Sequence, residues 1–174
     1  DTIMYGASLT KAVFAFTVMQ LVDQGRIALD TPLATMLPKP LPDYADEATK
    51  DRYTDWSELD PRWRALTPRI LLAHGGGFAN FGFLEPGGKL AIHFDPGTRY
   101  AYSGDGLITL QFAMATGLGI DIGAETDRVF RELQALEAAR TVEDGIITDM
   151  READVGSIIG FGFAPYTGGV LSYI

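Results

Sequence analysis

The chain has 174 residues, 47% hydrophobic and 21% charged, a composition typical of a soluble globular protein with one core or a core plus a small appendage. Its formal charge of −9 argues against nucleic acid or an anionic membrane as a partner. The absence of cysteine and the presence of only two histidines, His74 and His93, exclude disulfides, thiol catalysis and multi-histidine metal sites, and we expect no cofactor.

The first predicted helix covers residues 8–24. Its apolar residues recur near helical spacing, Ser8 is a preferred N-cap, and Gly25 ends the helix as a C′ glycine. The apolar run 12–18 inside it is far too short to span a bilayer, and no signal peptide is visible. The compartment is therefore left open, with the cytoplasm favoured.

After a proline-rich stretch of turns, residues 44–63 lack clean periodicity and predict a surface loop with a helical turn. Thr67 as a cap and Pro68 at the first helical position then begin a short apolar helix, which we expect Gly75 to Gly77 to stop. The glycine- and proline-punctuated segment that follows predicts loops, with a small β-hairpin around residues 90–101.

Two further helices are predicted in the second half of the chain. The first begins near Asp105 and ends at Gly117. The second is amphipathic, begins near Gly123 and ends at Gly145. The tail beyond Gly145 is apolar and rich in glycine, without an internal repeat.

Ser8 and Lys11 are the first candidates for chemistry, because residues three apart share one helix face. A protonated lysine cannot accept a proton, but burial and the positive end of a helix dipole both disfavour that charge. A neutral Lys11 can deprotonate Ser8 for attack on an acyl carbonyl, with the Ser8 amide as one oxyanion donor. The alternative is that Ser8 only caps a buried helix, since Ser-x-x-Lys is a weak pattern.

Four segments in order carry a resemblance to a known family. They are "GASLTKAVF", "GRIALDTP", "LTPRILLAHGGGFANF" and "PGTRYAYSGDGLITLQF". Together, over about residues 1–131, they resemble the serine β-lactamase and penicillin-binding-protein superfamily, in the branch of class C β-lactamases and family VIII carboxylesterases. The resemblance implies a serine hydrolase whose fold is an antiparallel sheet flanked by helices.

The resemblance also implies roles for three residues. Ser8 is the nucleophile, Lys11 is the base, and Tyr102 in the triplet Tyr-Ser-Gly relays a proton to the leaving group. Tyr100 lies two residues away but outside the motif position. The resemblance therefore assigns Ser8, Lys11 and Tyr102 as the catalytic residues.

Three other positions differ in how they match the family pattern. Gly104 stands where β-lactamases often carry asparagine, which favours an ester over a lactam as the substrate. His74 matches a turn histidine of the family, and we interpret it as structural rather than as a base. His93 matches no feature of the family.

Parts of that family's fold are absent from the sequence, namely the strands before Ser-x-x-Lys and the strand with the third motif, Lys-Thr-Gly or a variant. We therefore predict a mainly α fold, the helical portion of the β-lactamase/transpeptidase-like fold with a helical appendage. The alternative is an α+β fold with a small antiparallel sheet. The apolar surface left where the sheet would pack predicts a homodimer. The triplet 166–168, Tyr-Thr-Gly, resembles the third motif without its cation.

The tail, about residues 133–174, is similar to the C-terminal end of the 3-hydroxyacyl-CoA dehydrogenase domain in fatty-acid β-oxidation multienzymes. The run "READVGSIIGFGFAPYTGG" carries this resemblance. No Gly-x-Gly-x-x-Gly follows a strand, so the tail predicts packing rather than dehydrogenase activity. The chain thus divides into a β-lactamase-like fragment, residues 1–131, and a dehydrogenase-like segment, residues 132–174.

Three functions follow from these observations. The first is a serine hydrolase of small carboxylic esters with a Ser8 acyl-enzyme, its rate lowered by the missing third motif. The second is a catalytically inactive chimeric helical domain with a structural or interaction role. The third is an acyl-CoA-related binding module, which the tail alone suggests.

Overall fold

The structure is a computed structural model that describes residues 7–45, 54–161 and 165–173. It divides into two compact units, Asp1–Ile122 and Gly123–Ile174, each with its own apolar core. The described residues form α-helices and short 3-10 helices, and no strand occurs among them. That these helices are the helical portion of a larger sheet-containing fold stays a prediction.

The helices are labelled in chain order. The α-helices of the described residues are α1 Thr10–Asp23, α2 Leu33–Met36, α3 Pro68–Leu72, α4 Gly104–Leu118, α5 Ile122–Glu143 and α6 Met150–Phe161. The 3-10 helices are Ala7–Leu9, Leu41–Tyr44, Pro61–Ala65, Gly82–Leu84 and Pro165–Thr167.

Several predicted helix boundaries are confirmed. Gly25 follows the end of α1 with a left-handed φ of +70°, and Gly145 follows α5 in the same conformation. Thr67 caps α3, because its hydroxyl oxygen accepts a hydrogen bond from the Ile70 amide at 3.3 Å. Local capping chemistry therefore sets these boundaries.

The core of the first unit forms around α4, against which both α2 and α3 pack. Trp56 is fully buried, its ring lies 4.7 Å from that of Phe112, and its indole N–H donates to Thr109 Oγ1 at 3.1 Å. The loop and helical turn predicted within residues 44–63 are confirmed for the described part by irregular chain and the 3-10 helix Pro61–Ala65, but their placement at the surface is wrong, because the aromatic side chains supply core volume. Residues 46–53 of the stretch lie outside the described residues.

The predicted end of α4 at Gly117 is also wrong. The helix continues to Leu118, and Gly119 takes the left-handed conformation with φ +65°. Gly117 is needed for packing instead, because a Cβ there would collide with the Met36 carbonyl oxygen at the end of α2. The glycine allows the α2 backbone to approach α4 closely.

The β-hairpin expected around residues 90–101 is wrong as well. Leu90 N–H bonds to Asp55 O and Thr98 N–H closes a local turn with Asp95 O, but no hairpin ladder forms. Three other backbone amides of this segment bond to the turn at residues 74–77, so the segment wraps around that turn as irregular chain. These bonds are His93 N–H to Gly77 O (2.8 Å), Gly97 N–H to Gly75 O (2.8 Å) and Ala101 N–H to His74 O (2.9 Å). The wrapping ends at Tyr102, which it places beside His74.

Gly77 makes this close wrapping possible. Its φ is +82°, and a Cβ there would lie 2.5 Å from the Phe94 carbonyl oxygen. We expect Gly77→Ala to lower the free energy of unfolding by about 2–4 kcal/mol, through left-handed strain plus overpacking. Gly87→Ala is the matched control, since Gly87 has a φ of +85° but no atom within 4 Å of its Cβ position. Urea denaturation should show a loss of only about 1–2 kcal/mol for Gly87→Ala; equal losses would contradict the clash.

The second unit has a small core of Ala135 and Val170. Asp154 ties the last described segment to α6, because its carboxylate accepts the amide protons of Leu171 (2.7 Å) and Ser172 (3.1 Å). Burial alone would raise the pKa of Asp154, but hydrogen bonds from Ser172 and Leu171 lower it. The change of resemblance expected near residue 132 falls within α5.

Large apolar side chains remain exposed on the surface of each unit. Examples are Leu9, Phe16 and Met19 in the first unit, and Phe130, Leu136, Ile146, Val155 and Ile159 in the second. The homodimer expected from the sequence stays a prediction.

No single helix of the described part of the chain is long and apolar enough to cross a membrane. Helices α4 and α5 have the required length and apolar composition only when they are taken together, and a break in the helix separates them.

Candidate active site

Ser8 lies in the 3-10 helix Ala7–Leu9, which leads directly into α1. The prediction that Ser8 caps this helix is wrong, because the 3-10 turn extends the helical backbone upstream and Leu9 occupies the N-cap position without a side-chain bond. Ala7 has a φ of +43°, a left-handed value that is uncommon for a residue other than glycine. The exposed Ser8 hydroxyl therefore has no capping role in α1.

The structure brings Ser8, Lys11 and Tyr102 together. Lys11 Nζ donates to Ser8 Oγ at 3.3 Å, and the Tyr102 hydroxyl, 94 residues along the chain, donates to the same oxygen at 2.8 Å. Lys11 Nζ also lies 5.1 Å from the centre of the Tyr102 ring. Lys11 is half-buried and Tyr102 is 39% exposed, so the cluster is open to a substrate from solvent.

The pKa of the Tyr102 phenol lies below its ordinary value. Its hydrogen bond with Ser8 is the largest cause, followed by its hydrogen bond with Lys11; burial acts in the opposite direction, and the positive charge of Lys11 adds a lesser lowering effect. A lowered pKa increases the fraction of phenolate at a given pH, and the phenolate is the form that accepts a proton. The cluster can therefore move a proton to or from Ser8 Oγ.

Residues 79–82 hold the first turn of α4, and with it the segment that carries Tyr102. The hydrogen bonds are Ser103 Oγ to Ala79 O (2.8 Å), Gly104 N–H to Asn80 O (2.9 Å), Asp105 N–H to Asn80 O (3.0 Å) and Gly82 N–H to Asp105 Oδ2 (2.6 Å). Ser103 also caps α4, because its hydroxyl oxygen accepts the Gly106 amide proton at 2.9 Å. Asp105 is only 1% exposed, and burial raises the pKa of its carboxyl.

Close packing against Phe81 and Asn80 explains why position 104 carries glycine. A Cβ there would lie 2.8 Å from Phe81 Cε1 and 3.3 Å from Asn80 Oδ1. A side chain at this position would point into residues 80–81, so the structure leaves no room for the asparagine that β-lactamases often carry here.

The other two residues considered from the sequence, Tyr100 and His93, make contacts elsewhere and are not joined to Ser8. Tyr100 is 69% exposed and lies edge-on to His74, with ring centroids 5.7 Å apart, so Tyr102 is the tyrosine joined to Ser8. His93 Nε2 lies 2.6 Å from Glu85 Oε1 at the surface. Within residues 7–45, 54–161 and 165–173, no three His, Asp or Glu side chains are grouped as a metal site would require.

The segment that resembles the third motif is not a strand. Tyr166 lies in the 3-10 helix Pro165–Thr167, and its hydroxyl accepts a hydrogen bond from Arg131 of the same unit. A strand would present backbone amides in an extended row, and this helical turn does not. The second oxyanion donor of the family is therefore not supplied by an extended Tyr-Thr-Gly segment.

Sequence reasoning missed the contact of His74 with Tyr102. The two rings lie 4.7 Å apart at an angle of 35°. The available signal was the position of His74, between a short helix and three glycines, where the chain must turn sharply.

Comparison with known proteins gives two separate matches. The family model for Beta-lactamase matches residues 1–122, more than half of the chain. Shorter stretches match fatty acid oxidation complex subunit alpha, with 40% identity over 58 residues in Shewanella sp. (strain ANA-3), which is 33% of this chain and 8% of that protein. The Shewanella baltica (strain OS185) subunit is 53% identical over 38 residues, 22% of this chain and 5% of that protein. The Pseudomonas aeruginosa (strain LESB58) subunit is 54% identical over 39 residues, which is 22% of this chain and 6% of that protein.

The chain spans less than a tenth of the length of these curated relatives. These short matches support the resemblance of one piece of the chain to such subunits, and no more than that piece. No solved structure matches the chain. The family match covers the unit that carries Ser8, Lys11 and Tyr102, so through residues 1–122 this chain belongs to the Beta-lactamase family.

Proposed function

We propose that this protein is a serine hydrolase that cleaves small carboxylic esters through an acyl-enzyme on Ser8. The observation that carries the proposal is the Ser8 hydroxyl, held between Lys11 Nζ at 3.3 Å and the Tyr102 hydroxyl at 2.8 Å. Membership of the Beta-lactamase family supports hydrolase chemistry. The placement within the class C and family VIII carboxylesterase branch is part of this proposal.

In the proposed reaction, each of the three side chains acts once in acylation of the enzyme and once in deacylation. A neutral Lys11 takes the Ser8 proton as Oγ attacks the ester carbonyl carbon, and Tyr102 gives a proton to the leaving alkoxide. Water then attacks the acyl-enzyme with the same groups in the reverse order, which releases the carboxylic acid. The Ser8 amide, at the start of the helical segment, is a candidate oxyanion donor.

The preference for esters over lactams is supported by position 104. A carboxamide side chain there would hold the amide of a lactam substrate, but Cβ at this position would meet Phe81 and Asn80. A small ester has no such amide to be held. The packing around Gly104 thus favours the ester as the substrate class.

The test compares turnover of p-nitrophenyl butyrate with that of a chromogenic cephalosporin, with Ser8→Ala as the control. We expect Ser8-dependent ester hydrolysis, at a rate about a hundredfold to a thousandfold below a hydrolase with two oxyanion donors, and slower lactam hydrolysis. Faster lactam turnover would overturn the ester preference. If neither substrate were turned over by folded protein, the inactive chimeric domain would be the better description.

The acyl-CoA-related alternative gains no support from the second unit. A cavity of about 480 Å³ lies there, and its mostly apolar wall includes the carboxylates Glu137 and Glu152. Glu137 is ion-paired with Arg140, but the Glu152 carboxylate repels the phosphates of coenzyme A. The proposal is therefore not extended to acyl-CoA binding.

A further inference from the structure

We propose that His74 is a positioning residue for Tyr102, which fixes the phenol against Ser8 for proton transfer. The proposal rests on the hydrolase function proposed above, and it gives a role to a side chain that the sequence assigned only to structure.

Three contacts converge on His74 from Tyr102 and its neighbours. The Ala101 amide donates to the His74 carbonyl oxygen at 2.9 Å, and the Ser103 amide donates to His74 Nδ1 at 3.1 Å. Between these two bonds, the Tyr102 ring lies 4.7 Å from the imidazole at 35°. The backbone on both sides of Tyr102 and one face of its ring are therefore held by a single residue.

His74 also occupies a backbone position that favours glycine. It follows the C-cap of α3 with a φ of +55°, its own amide bonds to Leu71 O at 3.0 Å, and the Gly75 amide bonds to Ile70 O at 2.7 Å. This is the Schellman arrangement, in which the left-handed residue is usually glycine. A left-handed residue with a side chain is strained, and such strain persists where the surrounding contacts use that side chain.

The neutral form of the His74 ring is the one that can accept the hydrogen bond from Ser103. Burial is the main cause that lowers the pKa of the imidazole; the Ser103 backbone contact acts in the opposite direction, and the positive charge of Lys11 adds a smaller lowering effect. Because Nδ1 accepts the Ser103 amide proton, the hydrogen of the neutral ring belongs on Nε2. A neutral imidazole keeps the Ser103 bond that a protonated ring would lose.

The test separates positioning from structural support with two variants of His74. In His74→Gly the strain is relieved but all ring contacts are lost, so we expect a urea midpoint equal to or above that of the parent. For p-nitrophenyl butyrate, we expect kcat about tenfold to a hundredfold lower with KM little changed. In His74→Asn, Oδ1 replaces Nδ1 as the acceptor and the residue tolerates the left-handed backbone. We expect this variant to recover at least about threefold in kcat over His74→Gly.

Tyr100→Phe is the matched control, because it keeps the ring that contacts His74 and removes only an exposed hydroxyl; its kcat should equal that of the parent. Full kcat in His74→Gly, with an active parent, would overturn this inference alone. A parallel fall of kcat and midpoint would show that His74 only supports the fold. A parent without Ser8-dependent turnover would overturn the proposed function and this inference together.

Discussion

Ser8→Ala should abolish covalent labelling by a fluorophosphonate probe and lower ester turnover by at least about a thousandfold. The reason is chemical, because alanine leaves Lys11 and Tyr102 in place but removes the oxygen that both of them contact. Intact mass spectrometry after incubation with the probe measures the labelling. The parent should gain one adduct, and Ser8→Ala should gain none.

Ser57→Ala is the matched control for this experiment. Ser57 is also exposed and its backbone amide bonds to Asp55, but among the described residues no basic side chain forms a hydrogen bond with its hydroxyl. Its variant should be labelled as fully as the parent. An adduct that persists in Ser8→Ala would place the nucleophile elsewhere, and a folded parent without any adduct would show that Lys11 and Tyr102 do not activate Ser8.

Lys11→Met should lower kcat/KM for p-nitrophenyl butyrate by about a hundredfold to ten-thousandfold, as expected for the loss of a general base. Methionine keeps an unbranched apolar side chain of similar length, so the packing of the half-buried stem is retained. The measurement is kcat/KM as a function of pH, in the parent and in the variant.

The same variant should move the falling limb of the pH profile to higher pH. The Lys11 hydrogen bond and charge lower the pKa of Tyr102, after the larger effect of Ser8. Without Lys11 that pKa rises, so the phenol that gives its proton to the leaving alkoxide persists to higher pH before it ionises.

Lys39→Met is the control for Lys11→Met, since Lys39 Nζ also lies over a tyrosine, 4.2 Å from the centre of the Tyr44 ring. That pair includes no serine of the candidate site, and its loss should leave the pH profile unchanged. A profile that stays unchanged in Lys11→Met, despite a lower kcat/KM, would mean that Lys11 supports the site without affecting Tyr102.

Glycines illustrate both the success and the failure of sequence reasoning. Gly25 was predicted correctly as the end of α1, because its left-handed turn depends on a few neighbouring backbone groups. The packing roles of Gly117 and Gly77 could not be predicted. At each position a Cβ would collide with a carbonyl oxygen from a distant part of the chain, that of Met36 and that of Phe94 respectively. Hydrophobic patterns and helix propensities do not show which distant backbone segments approach each other closely.

By itself the sequence determined the features that depend on short-range chemistry. It predicted the Thr67 cap, the helix after Ser8 and the approach of Lys11 to Ser8, because residues three apart on a helix are neighbours wherever the helix lies. The order of its motifs also identified the family to which residues 1–122 belong.

Only the tertiary structure decided how Tyr102 reaches Ser8 across 94 residues. That approach depends on three amides of residues 90–101 bonding to the turn at 74–77 instead of forming a hairpin, and on His74 adopting a left-handed backbone. The His74 conformation belongs to the local end of α3, but the path of residues 90–101 is settled by competition among distant segments for the same hydrogen-bonding groups. Local sequence patterns do not describe that competition.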